Sequence, residues 1–225
     1  MVLPPFPGGE FNVLVVASLR ATARVALVCV FATALHAQGE GVATRSKGRL
    51  TAPVTIYEMS DFQCPYCRDF ALNTLPALER EYIATGKVRL VFIVFPMQNI
   101  HPNAIAAAEV ALCAAHENRF WPVHDALFAK QPDWAPLKDP KPYLLALADS
   151  AGGVSEAVRQ CVDSGSGRDA VEVDIAAAQR TGAHSTPTFY IEGGLIEGDA
   201  PAAVFRQVLD SVYQSKTAGP APSAR

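Results

Sequence analysis

The chain has 225 residues, half of them apolar and 18% charged, with a formal net charge of -3. That is the composition of an ordinary globular protein, enough for one generous domain or two small ones. With no basic run to follow a phosphate backbone, it argues against a nucleic-acid partner.

Taken in chain order, Arg20 and Arg24 precede an apolar stretch, Val25 to Leu35, broken only by Thr33. A stretch of that length suits the h-region of a signal peptide and is short for a bilayer span. Residues 1–37 therefore read as a signal peptide cleaved after Ala37, although Leu35 sits where a small residue is preferred. A short uncleaved membrane anchor is the alternative. Residues 1–19 make a long lead with apolar Val13 to Ala17 inside it, so translation could start further in. Cys29 lies in the h-region behind Ala26-Leu27-Val28, unlike a lipoprotein acylation site, and is expected to leave with the leader.

Residues 38–50 are polar and Gly-rich and read as a linker. Val54 to Met59 is β-branched and bounded by turn residues, which predicts a strand. Cys64-Pro65-Tyr66-Cys67 follows, and then Leu72, Leu75, Leu78 and Tyr82 recur at helical steps, with Pro76 expected to kink the helix and Gly86 to end it. The apolar run Leu90 to Phe95 predicts a strand covered on both faces. Helices are expected over Ala104–His116, Arg119–Lys130, Pro142–Ala151, Val154–Cys161 and Asp169–Thr181, the last closed by Gly182. Thr188–Ile191, a Gly193-Gly194 turn and Leu195–Glu197 predict a hairpin. Ala202–Gln214 is a last amphipathic helix, and residues 215–225 form a Pro/Ala/Ser-rich tail expected to be disordered. There is no internal repeat. The order predicts an α/β fold: a βαβ unit, a helical block and a terminal hairpin with its helix, built on one mixed sheet.

Without Cys29, four cysteines remain: Cys64, Cys67, Cys113 and Cys161. An even number in an exported chain suggests two disulfides. Cys64 and Cys67 are close enough to be only partners or co-ligands, which leaves Cys113 for Cys161. Both of these fall in predicted helices, where a cysteine serves equally as a small apolar residue.

A thiol attacks only as a thiolate, and a helix N-terminus favours that anion. Cys64 holds such a place, with Pro65 at the first helical position, where a missing N–H costs nothing. Cys67 faces the same side one turn on. Cys64 therefore reads as the exposed attacking thiol and Cys67 as the resolving one. A zinc site is the competing reading, but it needs two further ligands; His184 is one candidate and no second is visible. An inert structural disulfide is less apt, because so small a loop stabilises little. His184-Ser185-Thr186-Pro187-Thr188 precedes a strand, so Pro187 is either a strand-edge proline or a cis-proline packed against the cysteines.

The stretch Glu58-Met59-Ser60-Asp61-Phe62-Gln63-Cys64-Pro65-Tyr66-Cys67 is joined by His101-Pro102, by Phe120-Trp121 with His124-Asp125 and Leu127-Phe128, and by Thr186-Pro187-Thr188-Phe189. Together they resemble the DsbA/BdbD-like disulfide oxidoreductases of bacterial envelopes, over about residues 50–214. The resemblance implies a thioredoxin fold with an inserted α-helical subdomain at about residues 98–182, and a cis Pro187. It departs from the family at Ser185, where Gly usually stands. It also implies a role for Glu58, six residues before Cys64: a buried carboxylate of raised pKa that takes the proton of Cys67 as a mixed disulfide resolves. On alternation alone Glu58 is as readily a solvated strand-end residue. Asp61 is expected to cap or solvate the loop, His101 and His124 to be structural, and Trp121 to be core. His184 is a candidate to stabilise the Cys64 thiolate. Pro65, Tyr66, His184, Thr186 and Pro187 would meet substrate.

The expected function is oxidation of dithiols in exported proteins, by a monomer without cofactor or metal, reoxidised by a membrane quinone-linked partner. An envelope reductase or isomerase is the rival within redox chemistry, since Cys-Pro-Tyr-Cys also occurs in glutaredoxins and DsbG-like isomerases. Residues 38–50 leave no room for the isomerases' dimerisation domain. A non-enzymatic metal-binding module is the rival outside it.

Overall fold

The fold grows from two parallel strands and the helix that joins them. The computed structural model describes residues 42–152 and 156–218; the expected leader, Ala37 and Cys29, and tail residues 219–225, lie outside the described residues. Strand β2 (Val54–Ser60) and strand β3 (Val88–Val94) pair in parallel, with Glu58 beside Phe92 and Ser60 beside Val94. Strand β4 (Thr188–Ile191) runs antiparallel on the other side of β2, with Phe189 beside Glu58, and β5 (Gly194–Glu197) completes the hairpin. With β1 (Ser46–Lys47) at the outer edge of β3, the described residues form a five-stranded mixed sheet of order β1-β3-β2-β4-β5.

Strand β1 (Ser46–Lys47) corrects the expected linker. Ser46 and Lys47 pair antiparallel with Val91 and Leu90, and the buried Arg45 guanidinium forms an ion pair with Asp174. Asp174 also accepts a hydrogen bond from the Val94 N–H at 2.9 Å. A two-residue strand is too short to carry a period-two pattern, so polarity alone made it look like linker.

Helix α1 runs from Pro65 to Ile83 as Pro65–Asp69, Phe70–Thr74, Leu75–Leu78 and Glu79–Ile83, the second and fourth pieces being π-turns. The expected helix is thus interrupted by two π-turns. The Leu75 N–H bonds to the Phe70 carbonyl, five residues back, just before Pro76. Pro76 can neither donate a hydrogen bond nor tolerate the carbonyl four residues behind it, and a widened turn relieves both.

Among the described residues, six helices stand between β3 and β4: α2 (Ala104–His116), α3 (Phe120–Ala129), α4 (Gln131–Trp134), α5 (Lys141–Gly152), α6 (Glu156–Ser164) and α7 (Ser166–Arg180). Helix α2 is buried almost all round, and its alanines let neighbours approach closely. Helix α4 has no amphipathic period to betray it, being a single turn that holds Pro132. Gly182 ends α7 in a left-handed conformation, φ 86°. Helix α8 (Ala202–Thr217) outruns its expected end and takes up the first residues assigned to the tail.

Apolar clusters hold the layers. Phe70, Leu75, Leu78, Phe189, Phe205 and Leu209 pack α1 and α8 on one part of the sheet. Phe62, Phe92, Phe120, Phe128 and Trp134 join the sheet and the loop after β2 to the helices that follow β3. Cys113 of α2 and Cys161 of α6 are disulfide-bonded with Cα atoms 5.8 Å apart. In the chain-entropy model, closing a loop of 48 residues is worth about 4 kcal/mol. No helix of the described residues is long and apolar enough to cross a membrane.

Gly167, at the start of α7, lies against this disulfide. A Cβ there would stand 2.8 Å from Cys113 Sγ and 3.1 Å from the Glu109 carbonyl. Gly167→Ala should destabilise the fold by about 1–3 kcal/mol, overpacking outweighing the better helix propensity of Ala. Urea unfolding of the oxidised protein measures it, and unchanged stability would mean that α7 shifts freely.

Candidate active site

The site is built where β2 ends and α1 begins. Asp61 organises the turn from a buried position. Its Oδ1 accepts from the Gln63 N–H at 2.7 Å, and its Oδ2 from the Met97 N–H at 2.8 Å and from His101 Nδ1 at 2.7 Å. Its carbonyl accepts from the Cys64 N–H at 3.0 Å, while its own N–H donates to Cys67 Sγ at 3.4 Å. Asp61 thus caps the loop, as expected, but is not solvated. His101 is bound into the same network.

Cys64 stands at the N-cap of α1 with extended backbone, φ -72° and ψ 126°, and Pro65 takes the first helical position. Cys64 and Cys67 are free thiols and both are buried, Cys64 at 3% exposure and Cys67 at 0%. The expectation of an exposed attacker needs correcting: Pro65 and Tyr66 are exposed, the sulfur is not. The Thr186–Pro187 peptide is cis and its loop lies over the cysteine, with the Cys64 thiol donating to the Thr186 carbonyl at 3.3 Å.

The two thiols are driven apart in acidity. Hydrogen bonding from the Cys67 thiol, then from the Cys67 and Tyr66 N–H groups and the Thr186 side chain, outweighs burial and brings Cys64 down to about 6. Burial first, then the neighbouring Cys64, pushes Cys67 well above the ordinary thiol range. Cys64 is the thiolate at neutral pH and Cys67 keeps its proton.

Glu58 is fully buried on β2, between Phe92 and Phe189 in the neighbouring strands. Burial raises its pKa to about 8, and Ser60 and Lys47 pull the other way. Neither carboxylate oxygen has a hydrogen-bond partner among the described residues. The solvated alternative for Glu58 is therefore excluded by its position.

His184 is exposed, makes no hydrogen bond or ion pair among the described residues, and is not among the groups acting on Cys64. Its candidacy as thiolate stabiliser gives way to Cys67 and the backbone donors. In the loop before β4, Thr186 and Pro187 turn inward while His184 and Ser185 face solvent. His124 is buried among Phe62, Phe92, Phe120, Trp121 and Phe128, and its Nδ1 pairs with Asp125 Oδ1 at 2.8 Å. Trp121 is half-buried against the same cluster and donates from Nε1 to the Ser46 carbonyl at 3.2 Å.

Several residues that hold the site carried no sequence signal. Gln131 Nε2 donates to the carbonyls of Phe62 and Cys64 at 2.8 and 2.9 Å. Gln63 Oε1 accepts from the Asn103 N–H at 2.7 Å, and the Asn103 side chain donates to the Ala135 and Leu137 carbonyls. Arg68 Nε donates to the Phe128 carbonyl at 3.1 Å. The helical insertion thus grips the cysteine loop by side-chain to backbone bonds. Asn103, at the start of α2, could have been singled out as a cap, but it spends its amide on these ties. Among the described residues no group of three or more His, Cys, Asp or Glu is placed to hold a metal ion.

A thioredoxin family model matches residues 41–211. The relatives include the Na+/H+ antiporter NhaA 3 of Salinispora tropica, 33% identical over 147 residues. That match takes in 65% of this chain, which spans only about a fifth (21%) of the antiporter's length. The probable disulfide bond formation protein D of Bacillus cereus is 31% identical over 157 residues, 69% of this chain and 73% of that one. Its counterpart in Bacillus subtilis is 27% identical over 175 residues, 75% and 77% of the two chains. Among solved structures, oxidised BdbD of Bacillus subtilis superposes with a TM-score of 0.68 at 26% identity, over 76% of this chain and 92% of that one. Wolbachia pipientis alpha-DsbA1 has the same fold, with a TM-score of 0.66 at 23% identity over 76% and 92%.

Glu58 has a measurable signature. The folded chain keeps its proton up to about pH 8, whereas an unfolded chain loses it near 4.5. The folded state then binds more protons in that window, so this contribution to stability is whole below 4.5 and is lost as pH rises toward 8. Oxidised protein, whose cysteines do not titrate, should lose urea resistance from pH 5 to pH 8, and Glu58→Gln should flatten the decline. Equal slopes in the two proteins would return Glu58 to an ordinary carboxylate.

Proposed function

Because this chain belongs to the thioredoxin family, in its DsbA/BdbD-like branch, we propose that it is an exported thiol–disulfide oxidoreductase that introduces disulfides into envelope or secreted proteins. The observation that carries the reading is the split between the two thiols: Cys64, brought down to about 6, is a thiolate at neutral pH while Cys67 stays protonated. A stabilised thiolate stabilises the reduced form, and so makes the Cys64–Cys67 disulfide a stronger oxidant.

In this mechanism a substrate thiolate attacks Cys64 Sγ. The Cys64–Cys67 bond breaks, Cys67 leaves with the bonding electrons and takes up a proton, and substrate and Cys64 are joined in a mixed disulfide. The substrate's second thiolate then attacks its own bonded sulfur and releases Cys64, whose low pKa makes it a good leaving group. Glu58 supplies the proton to Cys67 in this direction and accepts it in reverse, when Cys67 resolves a mixed disulfide. The Thr186–Pro187 loop, with Pro65 and Tyr66 exposed beside it, holds an extended substrate segment by backbone hydrogen bonds. A membrane quinone-linked partner would reoxidise the pair, and the protein would act as a monomer outside the cytoplasm after removal of residues 1–37.

Cys64→Ser should abolish exchange, whereas Cys67→Ser should accumulate mixed disulfides with substrates, visible as adducts on non-reducing gels. Full turnover by Cys67→Ser would reverse the roles. The direction is read from the potential of the pair: close to about -120 mV it is an oxidase, whereas about -270 mV makes it a reductase. A stoichiometric zinc or copper complex that blocks alkylation of both cysteines would favour a metal-binding module instead.

A further inference from the structure

Among the described residues only five buried side-chain atoms lack a hydrogen-bond partner, and three of them share one strand: Glu58 Oε1, Glu58 Oε2 and Ser60 Oγ. The others, Arg89 Nε and His124 Nε2, lie elsewhere. Unpaired polar atoms at such depth are rare, because each forfeits its hydration. Three together call for a reason.

Position supplies one. Residues two apart on a strand present the same face, so Glu58 and Ser60 look the same way, about 7 Å apart along β2. Glu58 is 0% exposed and Ser60 1%. The next residue, Asp61, donates its N–H to Cys67 Sγ at 3.4 Å, so the resolving sulfur lies just beyond the end of β2. In sequence along β2, Ser60 falls between the buried Glu58 and Asp61, whose N–H meets the buried Cys67 thiol. The Ser60 hydroxyl is bonded to neither Glu58 nor Cys67 in this arrangement, yet lies near enough to lower the pKa of both against the burial that raises them. A serine hydroxyl donates and accepts at one atom, which is what a relay requires and what Ala or Val here would lack. Charge reaches the strip from two sides: Lys47 on β1 acts on Glu58, and the Asp61–His101 pair closes the end beyond Ser60.

We infer that Ser60 is a proton relay between Glu58 and Cys67. This rests on the reading of Glu58 given above and adds the route. When substrate thiolate breaks the Cys64–Cys67 bond, Cys67 departs as an anion. The Ser60 O–H proton passes to Cys67 Sγ and the Glu58 carboxyl proton passes to Ser60 Oγ. Cys67 ends as a thiol, Ser60 is unchanged and Glu58 is a carboxylate. In reverse the Cys67 proton travels to Glu58 by the same path. The thiol–disulfide exchange supplies all the electrons.

The test is a double-mutant cycle on single-turnover oxidation of a dithiol peptide, quenched with acid and resolved by mass, across the pH range 5–9. Ser60→Ala removes an unpartnered hydroxyl, so the fold is expected to hold. Glu58→Gln and Ser60→Ala should each slow Cys67 release by at least about tenfold at neutral pH, the low end of general acid–base effects. The pair together should be no slower than the slower single variant, as for two members of one path. Ser60→Thr keeps the hydroxyl and should recover most of the rate, together with the wild-type pH profile. A slow Glu58→Gln beside a Ser60→Ala at the wild-type rate would overturn the relay and leave Glu58 standing. Additive losses would also overturn it, and so would equal loss in Ser60→Ala and Ser60→Thr. An unaffected Glu58→Gln would sink the role of Glu58, and the relay with it.

Discussion

The arrangement depends on the buried carboxylate of Asp61. It accepts three hydrogen bonds at 2.7, 2.8 and 2.7 Å, so its charge is met although it is out of water. One of the donors is the Gln63 N–H next to Cys64; the other two belong to the segment after β3. The same residue's main chain touches Cys67 Sγ on one side and the Cys64 N–H on the other. The turn into α1 is therefore clamped to the sheet and to the start of the insertion at a single point. Removing that carboxylate would leave two backbone donors and a histidine without their acceptor at the depth where the cysteines sit.

Around this clamp the polar ties have a consistent direction. Gln131 and Arg68 spend side chains on backbone carbonyls that link α1 and its loop to α4 and α3, and Asn103 ties the start of α2 to the residues after α4. Aromatic packing of Phe62 on Phe92 and Phe128, with centroids 5.2 and 5.0 Å apart, fills the space beneath. The disulfide joins α2 to α6 within the insertion, and Cys113 is part of the same buried cluster as Cys64 and Cys67. The reactive thiol is covered by the Thr186 carbonyl rather than left open, so substrate must displace or share that contact.

Much of this was legible in the sequence because it is local or periodic. The strand of Val54 to Ser60, the Ala-rich Ala104–His116 and the hairpin after Pro187 each announce themselves by composition. Cys64 and Pro65 mark a helix start by chemistry alone. What escaped depends on partners distant in sequence. The bond between Arg45 and Asp174 spans 129 residues, and that between Gln131 and Cys64 spans 67. No window of sequence contains either. The two-residue β1 is a strand only because β3 is beside it. The exposure of Cys64 and the isolation of His184 were misjudged for the same reason: a loop 122 residues away covers the one and turns the other outward.

The π-turn at Phe70–Thr74 has a consequence of its own. Phe70 and Leu75 are five positions apart, which on a regular helix would separate them by about 140°. Yet both are buried, and in the same cluster. The wide turn takes up the surplus residue, so the helix behaves as two rods coupled by a phase shifter. The rotation of the rod that carries Cys64 and Cys67 is set independently of the rod that lies on Phe205 and Leu209. A deletion of one residue within Phe70–Thr74 would convert the joint to plain α-helix and leave both rods in phase. A deletion on either side of it would turn one face of the protein away from the other.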